Sequence, residues 1–326
     1  MGLYAYQVVT LINPEKQFSM HKPVSNEKPL LSILLPAYRY REGVHRILSL
    51  LQPLPVADCE LIVLDDSPDD EVEQEVARWH SVAGMQVTYQ RNRPALGAAA
   101  NWNSLLDKAR GKYCLLLHHD EFPLSDHFVM DLIQELRKDP DVDVIMLDCL
   151  LINPQNGQCR RHLPTWLCAF VVSRFPQYLF RRNVIGPTSS LVVRRTLYPR
   201  FDVRLRWLID VDVYVRLFKV AKGVKLCPKI QVGSILGRAD SITTGLGDSI
   251  PQIAREERTY LQGIHHTTSL WLGPVRNEPI LHFLLRACEA VCWNLMRGLT
   301  RITAVFCVGP VPRSVVQQAM KTPPGL

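Results

Sequence analysis

Between Leu30 and Leu151 the chain alternates short, mostly apolar runs with longer segments whose apolar residues recur every three or four positions. The short runs are Leu30–Leu35 (LLSILL), Glu60–Leu64 (ELIVL), Gln86–Gln90, Lys112–Leu117 and Val142–Leu151. Runs of this length, apolar on both parities, predict strands covered on both faces. The longer segments predict helices. Val44, Ile47, Leu48 and Leu51 make one stripe in Glu42–Leu51, which Pro53 and Pro55 terminate. Val72, Val76 and Trp79 make another in Asp70–His80, and Phe128, Leu132 and Leu136 a third in Asp126–Lys138. Leu96-Gly97 leads into a further helix near Ala98–Ala109. Strand–helix alternation of this kind predicts an α/β, Rossmann-like fold, with a mostly parallel central sheet and helices on both faces.

The pattern loosens after Leu151. Cys159–Tyr178 is aromatic and basic and is left unassigned. Asn183–Val193 (NVIGPTSSLVV) is a Gly-Pro turn running into a strand-like stretch. Arg206–Lys219 reads as a helix with Leu208, Val211, Val215 and Phe218 on its apolar side. Asp210 lies near its start, where the helix dipole favours a carboxylate. Val224–Val232 reads as a late strand and Gly237–Gly245 as a polar loop. Pro279–Phe306 again has helical spacing, with Leu281, Leu284, Leu285, Cys288, Val291, Cys292, Leu295, Leu299 and Ile302 on one face. His282, Arg286, Glu289, Arg297 and Arg301 fall on the other, so the segment reads as an amphipathic helix.

The organising stretch is Gly111–Pro123, GKYCLLLHHDEFP. A buried strand, Cys114–Leu117, stops on His118, His119, Asp120 and Glu121. Polar residues at the carboxyl end of such a strand lie where open α/β sheets bind ligands. Two imidazoles and two carboxylates there suit a divalent cation, a diphosphate held through it, or a sugar. A solvated strand end is the competing reading. Composition narrows this only slightly. The net charge of +7 and pI near 9.0 admit nucleic acid, anionic lipid or an anionic substrate as partner. No basic-aromatic motif of a nucleic-acid module is present, which sets nucleic acid aside. Nine scattered cysteines without a C-x-x-C pair predict reduced thiols and a cytoplasmic protein. The N-terminus lacks a basic n-region and a small-residue cleavage site, so no signal peptide is expected, and no run approaches the roughly 18 apolar residues of a spanning helix.

Six features stand in order: Pro36-Ala37-Tyr38; Asp65-Asp66; Leu96-Gly97 with Asn101, Asn103 and Gly111-Lys112-Tyr113; His118-His119-Asp120-Glu121; Phe201-Asp202; and Ile209-Asp210-Val211-Asp212 with Arg216. Together they resemble the family 2 glycosyltransferases of the GT-A fold, of bacterial surface-polysaccharide type. The resemblance covers about Leu30 to Leu261. It implies that Pro36, Ala37 and Tyr38 line the nucleobase pocket. It implies that Asp66 accepts hydrogen bonds from the base, with Asp65 and Asn103 close by. Asp120 matches the carboxylate that holds Mg²⁺ or Mn²⁺ against the donor diphosphate, and Asp210 matches the general base of an inverting transfer. Gly186 and Trp207 fall on the acceptor side. Two departures stand out. His118 or His119 replaces the first carboxylate of the family's D-x-D motif, leaving His119 or Glu121 to assist Asp120. Arg238 stands where the family's H-x-x-S-I-T segment has histidine, which suits a direct diphosphate clamp better than a metal ligand.

The resemblance implies an inverting glycosyltransferase with a nucleoside-diphosphate sugar donor and a saccharide acceptor, of lipid-linked glycan type. The competing classes are a non-catalytic GT-A domain that binds nucleotide-sugar or glycan or acts as a scaffold, and a sugar-nucleotidyltransferase. The last lacks support, because the first strand ends in Pro36-Ala37-Tyr38 and not in a Gly-rich triphosphate loop. For single residues the bland readings also stand: Asp65-Asp66 as a helix cap, Asp212 as a solvated helical carboxylate, His162, His265 and His266 as surface residues, Trp207 as core. The expected division is an extension at 1–28, a GT-A domain at 29–262 split into 29–123 and 124–262, and a C-terminal amphipathic region at 263–326. From His265 to Leu326 six Lys/Arg face two Glu, which leads to an expectation of peripheral contact with the anionic inner face of the plasma membrane.

Overall fold

A computed structural model describes residues 18–19, 28–52, 58–80, 87–153, 158–237 and 242–265, and within the C-terminal stretch 291, 294, 295 and 297–299. Among the described residues ten strands are β1 (Phe18–Ser19), β2 (Leu31–Ala37), β3 (Cys59–Asp65), β4 (Val87–Arg91), β5 (Tyr113–Leu116), β6 (Glu121–Pro123), β7 (Val144–Asn153), β8 (Gln158–Arg161), β9 (Leu191–Arg194) and β10 (Val224–Ile235). The helices are α1 (Arg41–Leu50), α2 (Glu71–His80), α3 (Ala98–Lys108), α4 (Phe128–Lys138), α5 (Thr165–Arg174), α6 (Ile209–Val220), α7 (Ile242–Leu246) and α8 (Ile250–Ile264).

All strands join one sheet in the order β1-β4-β3-β2-β5-β9-β7-β10-β6, with β8 paired to β7. The alternation of β2 shows why these runs are apolar throughout. Leu31, Ile33 and Leu35 enter one core layer, with Val44, Ile47 and Leu132 from α1 and α4. Leu34 enters the other, with Leu105, Val171 and Val215 from α3, α5 and α6. Successive side chains point to opposite faces, so a strand covered on both needs apolar residues at both parities. Gly111, before β5, has a steric reason: a Cβ there would meet the Ser32 backbone nitrogen at 2.6 Å.

Strands β4, β3, β2 and β5 are joined by parallel ladders, as the alternation predicts. Beyond β5 the sheet is mixed. Strand β9 runs antiparallel to both β5 and β7, β6 antiparallel to β10, and β8 antiparallel to β7. The register brings the carboxyl ends of β2 and β3 level, Ala37 opposite Asp65, while β5 ends three residues earlier, Leu116 opposite Leu34.

The irregular middle holds structure that periodicity does not show. Residues left unassigned at 159–178 form β8, α5 and a 3-10 turn, Pro176–Phe180. Helix α5 is apolar on nearly every side, with Trp166 and Phe170 exposed, so it offers no stripe to read. The segment expected as a loop at 237–245 ends in α7, and α8 follows it with Ile253, Ala254, Glu257 and Leu261 buried. Most of the extension at 1–28, most of the region 263–326 and most of Pro279–Phe306 lie outside the described residues, as do His266 and Arg238.

Candidate active site

The strand β5 delivers its polar end into a cleft of about 410 Å³. Trp102 and His118 line one side, Asn183 and Thr188 another, and Trp207 and Asp210 a third. Three loops therefore converge: the end of β5, the turn before β9, and the start of α6.

His118 stacks on Trp102, ring centroids 4.6 Å apart at 31°. Its Nδ1 lies 3.2 Å from Glu121 Oε1, and its backbone N–H donates to Glu121 Oε2 at 3.1 Å. On the far side of the ring, Nε2 is 3.5 Å from Thr188 Oγ1, whose own proton goes to the Leu116 carbonyl. The hydroxyl therefore accepts from Nε2–H, and the carboxylate accepts from Nδ1–H. Burial disfavours the imidazolium, but the Glu121 carboxylate outweighs it and the pKa of His118 lies above its ordinary value. Burial likewise opposes ionisation of Glu121, and the His118 charge overcomes it to lower that pKa. Asp120 is the reverse case. Burial first, and Glu121 second, raise its pKa. Ligand atoms of His118, Asp120 and Glu121 lie within 4.8 Å of one another.

Asp210 opens α6. Its Oδ1 accepts from the Val211 backbone N–H at 2.8 Å, and its Oδ2 from Asn183 Nδ2 at 2.8 Å. Burial raises its pKa to about 6, against the partial opposition of those backbone donors and of His118. Asn183 is itself fixed by the turn it belongs to. Its Oδ1 accepts from the backbone N–H groups of Ile185 and Gly186, and Nδ2 also reaches the Gly186 carbonyl. Gly186 has φ +98°, the left-handed region that favours glycine, and its carbonyl also accepts from Tyr214 OH on α6. Gly186, expected among acceptor contacts, is thus placed as a buried support for Asn183 and, through it, for Asp210.

The start of α6 receives no cap from its own sequence. Glu257 of α8 supplies one: its carboxylate accepts from the backbone N–H groups of Arg206 at 2.6 Å, Trp207 at 3.1 Å and Leu208 at 2.8 Å. Trp207 lines the cleft while packing partly on the second core layer.

The residues expected around the nucleobase form a second group, at the ends of β2 and β3. Tyr38 is exposed, with the Arg39 guanidinium 5.1 Å from its ring centroid. Pro36 and Ala37 are buried, and the Pro36 carbonyl accepts from His119 Nδ1 at 3.3 Å. The Nδ1 of His119 is thus turned toward β2, and the imidazole whose ligand atoms group with those of Asp120 and Glu121 is that of His118.

Three residues of this group are engaged by the protein's own groups. Asp65 is fully enclosed: it accepts from the Ser67 backbone and from Tyr89 OH, and shapes the turn after β3. Asn103 holds Phe201 by both ends of its amide, Nδ2 donating to the Phe201 carbonyl and Oδ1 accepting from its N–H, each at 2.8 Å. Asp66 accepts from Asn92 Nδ2 and from the backbone N–H groups of Leu96 and Gly97. That uses three of a carboxylate's roughly four acceptor positions. Asp66 does not cap α2; it ties the loop before α3 to the end of β3.

The bland readings of three polar residues also change. Asp212 is buried, bonded to Arg216 and, at 2.8 Å, to His265 Nε2, so it is not solvated and His265 is not a surface residue. His162 is half-buried, and desolvation pushes its pKa down to about 4. Of the residues that build the site, sequence reasoning missed Asn183, Thr188 and Glu257. Asn183 had a signal in the Asn-x-x-Gly-Pro turn; Glu257 had none, being distant in sequence from the helix it caps.

Known proteins are similar to this chain. The chain is 20% identical over 192 residues to the uncharacterized glycosyltransferase MJ1057 of Methanocaldococcus jannaschii, which covers 58% of this chain and 65% of that one. It is 24% identical over 187 residues to the abequosyltransferase RfbV of Salmonella typhimurium, 53% of this chain and 55% of that one. The chain therefore spans less than two thirds of these curated relatives. The fold resembles residues 1–349 of S. aureus TarS, solved with UDP-GlcNAc, at a TM-score of 0.53 and 15% identity, covering 66% of this chain and 60% of that one. The model of glycosyl transferase family 2 matches residues 32–202, more than half of the chain. With the strand-end cluster, the mixed sheet and this match in agreement, the chain belongs to glycosyl transferase family 2 and carries its GT-A fold.

Proposed function

We propose that the protein transfers a sugar from a nucleoside-diphosphate donor to a hydroxyl of a saccharide acceptor, with inversion at the anomeric carbon and Asp210 as the base. The observation that carries this reading is Asp210 itself. Its carboxyl sits in the cleft wall, held by Asn183, with a pKa of about 6. A carboxylate of that strength is ionised at neutral pH yet basic enough to take a proton from an attacking hydroxyl. Removal of that proton as the hydroxyl attacks the face opposite the leaving diphosphate is a single displacement, which inverts the centre. A non-catalytic binding domain has no need of such a group.

The donor is assigned to the strand-end side, with its diphosphate toward His118, Asp120 and Glu121. One imidazole and two carboxylates suit Mg²⁺ or Mn²⁺, and the crowding of Asp120 by Glu121 is a concentration of negative charge that a cation relieves. A divalent cation held there would neutralise charge on the departing nucleoside diphosphate. His118 would bind such a cation through a deprotonated ring nitrogen, and Asp120 and Glu121 as carboxylates. The names of RfbV and of the TarS complex support nucleotide-sugar chemistry at this fold.

A lipid-linked glycan is the proposed acceptor class, with the protein seated peripherally on an anionic membrane. Among the described residues no helix is long and apolar enough to cross one. Co-sedimentation with anionic vesicles, weakening as salt rises, is the expected behaviour, and vesicles ignored at low salt would remove the membrane from the proposal.

The deciding experiment is a panel of nucleotide-sugars, scored for binding and slow hydrolysis with Mg²⁺, Mn²⁺ or chelator. One donor class is expected to bind in a cation-dependent way, and Asp120→Ala to abolish that dependence together with most nucleoside-diphosphate affinity. Unchanged activity in excess chelator would remove the cation from the mechanism. No binding by any donor would leave the scaffold reading.

A further inference from the structure

The proposed chemistry leaves the basic side of the cleft without a task. Arg181 and Arg182 follow the 3-10 turn, Arg206 leads into α6, and Arg258 projects from α8; all four line the same cleft as Asp210. They come from three separate segments, so their meeting is a product of the fold. Arg258 Nε donates to the Phe180 carbonyl at 2.7 Å, which ties α8 to the turn that carries Arg181 and Arg182. The wall's carboxylates are engaged elsewhere, Glu121 with His118 and Asp210 with Asn183. Among the described residues no ion pair joins Arg206 or Arg258 to a carboxylate. The guanidinium of Arg258 is easier to deprotonate than usual, through burial and then through the like charge of Arg181. Like charges gathered in a partly desolvated cleft are costly unless an anion joins them.

We propose that these arginines hold an anionic group of the acceptor, a phosphate or a carboxylate, beside the hydroxyl that Asp210 deprotonates. The proposal rests on the transferase reading, which places the acceptor at Asp210 and the donor diphosphate at the strand-end cluster. Planar guanidinium groups match both anions with paired N–H donors. A neutral sugar would bring no counter-charge to Arg206 or Arg258. Phosphate would come from a phosphodiester or lipid diphosphate, carboxylate from a uronic acid.

The test is calorimetric titration of the full chain with methyl phosphate, inorganic pyrophosphate, glucuronate and neutral methyl glucoside. Each is run alone and with the nucleoside diphosphate that binds best in the donor panel. At least one anion is expected to bind about tenfold or more tightly than methyl glucoside, the size of effect that charge-assisted hydrogen bonds supply. Whether the phosphates or glucuronate bind better identifies the source. Binding should persist with nucleoside diphosphate present and fall about tenfold in Arg206→Gln and Arg258→Gln, with nucleoside-diphosphate affinity unchanged. The Arg206 side chain is exposed, so its variant keeps the test sound should Arg258→Gln fail to fold. Methyl glucoside binding as well as the anions overturns the proposal. Competition between anion and nucleoside diphosphate also overturns it, by assigning the arginines to the donor while leaving the transferase reading intact. Should no nucleoside diphosphate bind, the transferase reading fails first, and the acceptor assignment falls with it.

Discussion

Asp210 carries its reactivity through its surroundings. Burial raises its pKa from 3.8 to about 6, and the Val211 backbone and His118 limit the rise. Catalysis needs the ionised carboxylate, so kcat/KM is expected to climb with pH, reach half its plateau near pH 6 and stay level above. Asp210→Asn should erase that limb and lower transfer by about two orders of magnitude or more, while donor affinity is kept. Near wild-type transfer by the variant would make Asp210 structural. Stability runs in the opposite sense. A carboxyl whose pKa is raised in the folded state holds its proton more tightly there than in the unfolded chain. Its ionisation is therefore a penalty, fully present above about pH 6 and absent below the unfolded value. Urea midpoints should show Asp210→Asn more stable than wild type at pH 8, by at most roughly 2–3 kcal/mol, with the gap closing as pH falls.

Among elements, the start of α6 is a joint effort. Its own sequence provides no cap, and the carboxylate of Glu257 accepts from three successive backbone N–H groups just before it. An anion there also complements the helix dipole. This contact holds Trp207 and sets the first turn, and so the position of Asp210. Glu257→Gln keeps the size but removes the charge. A loss of about 1–3 kcal/mol in denaturant unfolding is expected, together with a higher KM for the acceptor and an unchanged Kd for nucleoside diphosphate. An equal loss of donor affinity would show that α8 supports the whole site and not α6 alone. The turn before β9 works in the same way from the other side, through Asn183 and Gly186.

At the level of the whole molecule, the two sides of the cleft are held together by contacts far apart in sequence. Asn103 on α3 grips Phe201 by both ends of its amide, across 98 residues. Arg200 adds a pair with Asp107 on the same helix. Asn103→Ala leaves the Phe201 backbone groups without that partner. It is expected to cost about 1–3 kcal/mol in chemical denaturation, while the pH dependence of any residual transfer still turns near 6. A shifted pH midpoint would mean that Asn103 takes part in the site itself.

The sequence by itself determined the elements of the first half and their parallel pairing. Buried strands must be apolar at both parities and surface helices must carry a stripe, and both patterns are local. The family resemblance singles out Asp120 and Asp210, which stand at the end of a strand and the start of a helix. Only the tertiary structure decided which neighbours each polar group takes. Asp65 and Asn103 look as fit for a ligand as Asp210 does, yet the first is enclosed by Tyr89 and Ser67 and the second is spent on Phe201. His118 pairs with Glu121, which turns back to it, while His119 Nδ1 faces the Pro36 carbonyl. The cap on α6 and the gathering of four arginines depend on α8 and the turn after α5 folding against the same cleft. Hydrophobic periodicity records which face is buried, whereas hydrogen-bond partners and local charge depend on chain segments that meet only in the folded molecule.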